Sequence, residues 1–431
     1  MTEQLKEPHP FVRALSNRNF RLLWIGGSIS VLGSQFSMIA LPWLVLQLTD
    51  DPQALGLVLA FAGLPRAIFM LYGGVITDRF SPRRILLICD WINFVLSGMI
   101  AALVFTGLMQ VWMIYLFSLV TGAIAGFVIP AANSIIPTLL PDRDLQAGNS
   151  ISMGTMQLMG FIGPAAAGVI IGSYTRSTQG IVLAFVFDAL TFAFSAILLG
   201  LMRGVVRENI TGSAKQVTES VWSSIKVAAR YIVGHDGLRL MFIVMVVVNF
   251  LFTGPLLVGI PVLADQRLAE GAAAFGLLMS AYAGGNLLGY VLGGGLPRPS
   301  GRMLSTIIVA LIAGFGIVLA AFGWILSTWV DFVLILALGI GNGYIGLVLF
   351  TWIQQSTPRD MLGRIMSMTS LAGMGLIPLS QAIAGTVSKW NLTALFALSG
   401  SLLVLVSVWL AFQPGLRLLS DQMLESSVTT G

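Results

Sequence analysis

Charge is scarce in this chain. Asp, Glu, Lys and Arg together make up 10% of its 431 residues, against roughly 25% in an ordinary soluble domain. Cys89 is the single cysteine, which excludes an internal disulfide. His9 and His235 are the only imidazoles, and both fall outside the apolar runs, so no structural zinc or haem centre is expected. A Gly-x4-Gly-Lys-Ser/Thr loop is missing, as is any nucleophile–base pair, and neither a self-contained ATP-driven pump nor an enzyme is expected. The 23 Lys and Arg leave a formal charge of +5. They form no continuous basic face, which argues against nucleic acid as a partner.

Apolar residues are abundant. They account for 56% of the chain, with a mean hydropathy of +0.91. A bilayer core requires about 20 apolar residues per helix, and the pattern predicts spans near 20–48, 54–77, 84–107, 111–139, 145–172, 179–202, 239–264, 273–296, 303–325, 329–355, 361–387 and 392–413. Barrel strands would alternate polar and apolar at period two, and these runs do not. The fold class is therefore an all-α membrane protein of twelve transmembrane helices. Residues 1–19 are polar and basic, and the apolar run that follows is too long for a signal h-region, so no cleavable signal peptide is expected.

Lys and Arg set the orientation. Nineteen of the 23 fall on the side of the N-terminus, three (Arg176, Arg267 and Lys389) on the other, and Arg66 alone inside a span. The positive-inside rule then places both termini in the cytoplasm of a multi-pass inner-membrane protein. The longest hydrophilic stretch divides the chain into an N-terminal six-helix bundle (1–203), a cytoplasmic linker (204–237) and a C-terminal six-helix bundle (238–431). Within the linker Val221, Trp222, Ile225, Ala228, Ala229 and Ile232 recur at helical spacing, which suggests either an amphipathic helix on the inner leaflet or an ordinary solvated linker helix. The two halves repeat each other. Ala54-Leu55-Gly56-Leu57 returns as Ala274-Phe275-Gly276-Leu277, Gly73-Gly74 as Gly293-Gly294, and Leu41-Pro42 as Ile260-Pro261, while Arg66 falls opposite Asn286. Two similar bundles with ligand contacts where they meet are the architecture of secondary transporters.

After the second span comes Gly74-x3-Asp78-Arg79-Phe80-Ser81-Pro82-Arg83-Arg84. A carboxylate and three guanidinium groups in one short turn either latch the cytoplasmic side, with Asp78 at the start of the eleventh helix near Arg359-Asp360, or form a positive-inside loop that only fixes topology. The loop resembles the helix 2–3 motif of the major facilitator superfamily, with Ser81 and Pro82 in place of the usual Gly and basic residue. Arg18-Asn19-Phe20-Arg21-Leu22-Leu23-Trp24, Ala40-Leu41-Pro42-Trp43, Leu64-Pro65-Arg66 and Pro358-x4-Gly363-Arg364 are similar to the branch of macrolide-type efflux pumps and the enterobactin exporter. Gly154, Gly160, Gly163-Pro164 and Gly168 resemble the superfamily's antiporter motif, although Ala167 departs from the final Gly pair. The resemblance implies two pseudo-symmetric bundles in the major facilitator fold. It also implies export of an amphipathic small molecule, drug-like or a siderophore, driven by the transmembrane proton gradient with no bound cofactor.

The residues that would carry this are the polar groups at membrane depth, where a charge costs about 2.5–3.5 kcal/mol on the insertion scale. Arg66, Asp188, Asp331 and Asp90 are the coupling candidates, with Asp188 the deepest acid. Since helices 1, 4, 7 and 10 line the cavity in the family resembled, Gln35, Asn133, Asn249 and Asn342 are the expected substrate contacts. Trp43, Phe252, Tyr344 and Phe350 are expected to supply apolar or stacking surface. The rival readings are an uptake carrier and a non-transporting membrane receptor or scaffold. The expected partners are a small molecule and the lipid bilayer, with the protein a monomer.

Overall fold

The computed structural model describes residues 9–174, 178–203, 221–296, 301–358 and 361–413, and only the backbone of 71–79, 221–225, 301, 302, 355 and 356. Among the described residues the ordered elements are helices. A short α1 (Pro10–Ser16) leads into α2 (Arg18–Thr49), α3 (Pro52–Arg79), α4 (Pro82–Phe105), α5 (Val111–Leu139), α6 (Asp142–Gly172) and α7 (Gln179–Gly200). The second half holds α8 (Val221–Gly234), α9 (Asp236–Arg267), α10 (Ala272–Gly295), α11 (Gly301–Ala321), α12 (Thr328–Ser356), α13 (Leu362–Met374), α14 (Ile377–Trp390) and α15 (Leu392–Ala411). Twelve segments are long and apolar enough to cross a membrane, with α13 and α14 counted as one.

Local chemistry explains where these helices begin. Asn17 ends α1 and starts α2, its Oδ1 accepting the Phe20 N–H at 3.0 Å as an N-cap does. The α2–α3 turn places Asp50 at φ +49°, and the Asp51 carboxylate caps α3 by accepting the Gln53 N–H at 2.9 Å. Pro52 and Pro82 open α3 and α4, where a missing N–H costs nothing. Asp142 and Asp144 sit in the first turn of α6, favoured by the helix dipole. Arg13 Nη2 reaches the buried Asp144 at 2.8 Å and anchors α1, an element that hydropathy alone passes over.

One expectation changes here. The eleventh span is not one helix, since α13 stops at Met374 and α14 starts at Ile377. Gly373, Gly375 and Pro378 weaken helix propagation there. The amphipathic α8 has Ala228 and Ile232 buried, and it packs on α9 and α13. That part of its apolar face is covered by protein and is not offered to lipid.

The chain divides into two compact units, Met1–Leu44 with Leu64–Asn209, and Val45–Gly63 with Ile210–Gly431. In the first, α4 packs chiefly on α7 and α1 on α6. In the second, the dominant pairs are α10 with α12, α11 with α15 and α9 with α14. The α10–α12 seam is built from glycine. Gly285 and Gly289 of α10 face Gly339 and Gly343 of α12, so closely that a Cβ on Gly285 would stand 2.9 Å from the Gly339 Cα. Small residues permit such approach, and dispersion between backbones then replaces the side-chain packing of a soluble core. Residues 45–63 lie in the second unit although the chain order puts them with the first bundle. Gly56 of α3 and Gly385 of α14 touch there, and a Cβ on Gly56 would be 2.8 Å from the Gly385 Cα.

Candidate functional site

The second unit holds a partly open cavity of about 240 Å³ between α9, α11, α12 and α13. Its wall is mostly apolar, with Met241, Met245, Phe315 and Phe350 among the lining side chains, and Asn249 and Asn342 are its amides. Helical periodicity puts Met241, Met245 and Asn249 on one stripe of α9. The Asn249 Nδ2 donates to the Met245 carbonyl of its own helix at 2.8 Å, which leaves its Oδ1 as an acceptor for a guest. Asn342 is tied more tightly. Its Nδ2 donates to Asn286 Oδ1 at 2.7 Å, and Asn286 Nδ2 donates to the Tyr282 carbonyl at 2.9 Å. Phe252 lies behind the wall, stacked on Phe315 with ring centroids 5.4 Å apart, and so fixes the orientation of the ring that lines the cavity.

Of the expected contacts, Asn249, Asn342 and Phe350 are therefore brought together. Tyr344 is not, because it faces α10, where a Cβ on Gly293 would meet its Cδ2 at 3.5 Å. Phe315, Met245 and Gly346 line the cavity without having been singled out. No sequence signal marks them, since an apolar residue or glycine in an apolar helix looks the same on every face.

The first unit holds the other candidates. Gln35 of α2 packs on Gly163 of α6, whose Cβ would stand 2.5 Å from the Gln35 Cβ. The antiporter-like run is thus a close-packing seam at Gly163-Pro164, while a Cβ on Gly154 would meet nothing within 4 Å. Trp43 is buried and Asn133 is exposed on α5. Arg66 is half-buried, with no carboxylate in ion-pair distance among the described residues. Asp188 accepts Ser37 Oγ at 2.5 Å and Ser97 Oγ at 2.8 Å. In the second unit Asp331 is covered completely, and neither of its carboxylate oxygens has a hydrogen-bond partner among the described residues.

At the motif that ends α3, Gly74 lies in the helix, and the side chains of Asp78 and Arg79 lie outside the described residues, as do Arg359 and Asp360. Arg83 is placed, and it caps the end of α7, with Nε donating to the Leu199 carbonyl and Nη2 to that of Gly200, each at 2.8 Å. A cation at a helix C-terminus is favourable, and this is the local contact Arg83 makes; Arg84 is exposed. A described ion pair lies instead at the α2–α3 turn. Lys389 Nζ is 2.8 Å from Asp51 Oδ2, within the second unit. Burial of Asp51 opposes its charge, but Lys389 and the backbone N–H groups of Gln53 and Ala54 outweigh it and hold the carboxyl below its ordinary value. A depressed carboxyl stabilises the fold above its unfolded pKa of about 3.9, and that stability is lost as pH falls through the folded value. The Asp51 carboxylate stays charged at neutral pH. Both partners are partly exposed, so Lys389→Ala is expected to cost no more than about 1 kcal/mol, read as a shift in thermal midpoint that vanishes in strong acid.

Twelve segments long and apolar enough to cross a membrane, with a mostly apolar cavity in the second unit, define a polytopic membrane protein. Residues 23–376 match the Major Facilitator Superfamily, and the chain belongs to that family. It is 23% identical over 398 residues to macrolide efflux protein A of Streptococcus pyogenes, covering 90% of this chain and 94% of that one. It is 25% identical over 357 residues to the enterobactin exporter EntS of Escherichia coli O1:K1 / APEC, covering 80% and 79%. Among solved structures, a bacterial homolog of the human lysosomal transporter Spinster, inward-facing and occupied, superposes with a TM-score of 0.65 at 16% identity over 97% of this chain and 98% of that one.

Proposed function

We propose that this carrier exports an amphipathic small molecule by alternating access, in exchange for protons, as a monomer in the inner membrane with both termini in the cytoplasm. The observation that carries the reading is the cavity of the second unit, whose apolar wall holds two amides and no charged side chain. Such a wall takes an apolar body and orients it by one or two hydrogen bonds. At about 240 Å³ it is smaller than the roughly 300–1,000 Å³ typical of drug-sized ligands, so it receives one apolar portion of a larger molecule. The export named for the two relatives supports the outward direction. A proton entering down 100 mV releases about 2.3 kcal/mol, enough to drive a modest gradient. A catecholate siderophore is the second substrate reading, on the similarity to the enterobactin exporter.

The test is transport in proteoliposomes, with and without an imposed pH gradient, of a macrolide, a cationic dye and a catecholate siderophore. Gradient-dependent movement of one class supports the reading, and movement that ignores the gradient removes the proton coupling. Asn249→Leu offers a sharper check within the transported class. Loss of a single neutral hydrogen bond, about 0.5–1.5 kcal/mol, is expected to raise KM about threefold to tenfold with kcat little changed. An unchanged KM would move the binding site elsewhere.

A further inference from the structure

A polar seam runs between α2, α4 and α7 of the first unit. Its two carboxyls are buried: Asp188 of α7 is 2% exposed and Asp90 of α4 is 7% exposed. The antiparallel pair α4 and α7 exchanges them reciprocally. Ser97 of α4 donates to Asp188 at 2.8 Å, and Ser195 of α7 donates to Asp90. Each contact is one heptad from the other on both helices, which separates them by about 10 Å along the seam. Helix α2 covers both with glycines at the same spacing. Gly26 lies on Ser195, where a Cβ would stand 3.3 Å from its Oγ, and Gly33 lies on Thr191 and on Asp188 Oδ1, which a Cβ would approach to 3.0 Å. Ser37, one turn further along α2, gives Asp188 Oδ2 a second donor at 2.5 Å.

The hydrogen-bond inventory at Asp188 is lopsided. Oδ2 accepts from two hydroxyls, while Oδ1 has no partner among the described residues. The hydroxyl beside the same Gly33 gap, that of Thr191, already donates to the Asp188 carbonyl at 2.7 Å. It has lone pairs to offer and no proton. An ionised Oδ1 meets no donor there, whereas a protonated Oδ1 supplies one. The groups that face Asp188 are Gly33 and Ser37 from α2, Ser97 from α4 and Thr191 on its own helix. The next titratable groups are Asp90 and, beside it, Cys89 on α4. No Lys, Arg or His among the described residues acts on either carboxyl.

We propose that the α2–α4–α7 seam holds the coupling proton, bound on Asp188 Oδ1, with Asp90 a second proton carrier one heptad away. The inference rests on the reading of a proton-coupled exporter and names its coupling site. A proton from the outer solution adds to the Asp188 carboxylate to give the neutral acid. It later leaves to the inner solution, so that protons move inward as substrate moves outward. Helix α2 links this event to the cycle, because it is shared between the two compact units, up to Leu44 in one and from Val45 in the other. Displacement of α2 along the seam withdraws Ser37 from the carboxylate and changes the balance between its charged and neutral forms. Ionisable groups inside a membrane bundle mark such relays, because their desolvation cost selects against them elsewhere.

The experiment reads the proton directly and needs no substrate. Purified protein in lipid is titrated from acid to alkaline pH while infrared difference spectra follow the carboxylic C=O stretch. The wild type is expected to show titrating carboxylic bands of which one component is lost in Asp188→Asn and a different one in Asp90→Asn, with all three monodisperse. A purely structural Asp188 would leave the bands unchanged in Asp188→Asn, and that result overturns the inference. Should Asp188→Asn fail to fold, Ser37→Ala carries the test: removal of one donor displaces the midpoint of one component, and undisplaced bands overturn the proposal. In proteoliposomes Asp188→Asn is expected to lower gradient-driven accumulation of the transported probe by roughly tenfold, equivalent to about 1.4 kcal/mol. Wild-type transport that ignores the gradient would overturn the coupled-exporter reading. Driven transport retained at the wild-type level in Asp188→Asn would overturn the seam alone.

Discussion

Replacement of Gly343 by leucine is expected to prevent the second unit from folding. Gly343 lies in the glycine seam of α10 and α12, and a Cβ there would overlap the Asn286 carbonyl oxygen and stand 3.0 Å from the Asn286 Cα. The obstacle is backbone, which cannot rotate aside as a flexible side chain can. Relief requires the helices to separate, and separation also strips contacts from Gly285, Gly289 and Gly339. Overpacking that side chains can absorb costs about 1–3 kcal/mol, and a seam that must open costs more. The measurement is the monodisperse yield and thermal midpoint of the variant, beside Gly314→Leu on α11, where a Cβ meets nothing within 4 Å. Loss of folded Gly343→Leu with Gly314→Leu intact is the expected result. Equal behaviour of the two would mean that the seam is not packed as described.

Gly346→Phe, three residues along the same helix, is expected to do the opposite: leave the fold and remove transport. Gly346 lines the cavity, and a Cβ there meets nothing within 4 Å. A phenyl ring grows into space the proposed substrate needs, among Phe315, Met245 and Asn249. Buried against that apolar wall it contributes rather than costs stability, about 25 cal/mol per Å² of apolar area removed from water or its equivalent in lost voids. Transport of the accepted probe is expected to fall at least about tenfold, or 1.4 kcal/mol, with the thermal midpoint unchanged or raised. Full transport by a folded Gly346→Phe protein would show that the substrate does not occupy this cavity.

The contrast between Gly343 and Gly346 also measures how far the sequence can be read. That α12 exists follows from its composition, since a run from Thr328 to Ser356 this apolar has to be a helix in lipid to satisfy its backbone. Which of its glycines is a packing point and which a pocket depends on the rotation of α12 against α10 and α11. An apolar helix carries no hydrophobic stripe to report that rotation. The same limit explains Tyr344, expected in the cavity and found against α10. Asn249 and Asn342 were picked as polar groups on helices that line the cavity in the family resembled, and both stand at this cavity's wall, whereas Gln35 and Asn133, picked in the same way, do not. Arg83 shows the same limit. Its charge placed it in a loop, but its role as the cap of α7 requires knowing that the ends of α7 and α4 are neighbours.

By itself the amino-acid sequence determined the number of spans, the internal repeat, the impossibility of an internal disulfide with one cysteine, and the short list of polar residues inside the apolar runs. These follow from local free energies, the cost of an unpaired peptide group or charge in hydrocarbon, which each segment incurs wherever its neighbours lie. Tertiary structure alone decided the break between α13 and α14, the glycine seam of α10 and α12, the cavity beside Asn249 and the reciprocal Asp–Ser contacts of α4 and α7. Those depend on register and rotation between helices remote in the chain, set by side-chain shape at distances of a few ångströms, and a one-dimensional pattern does not carry that information.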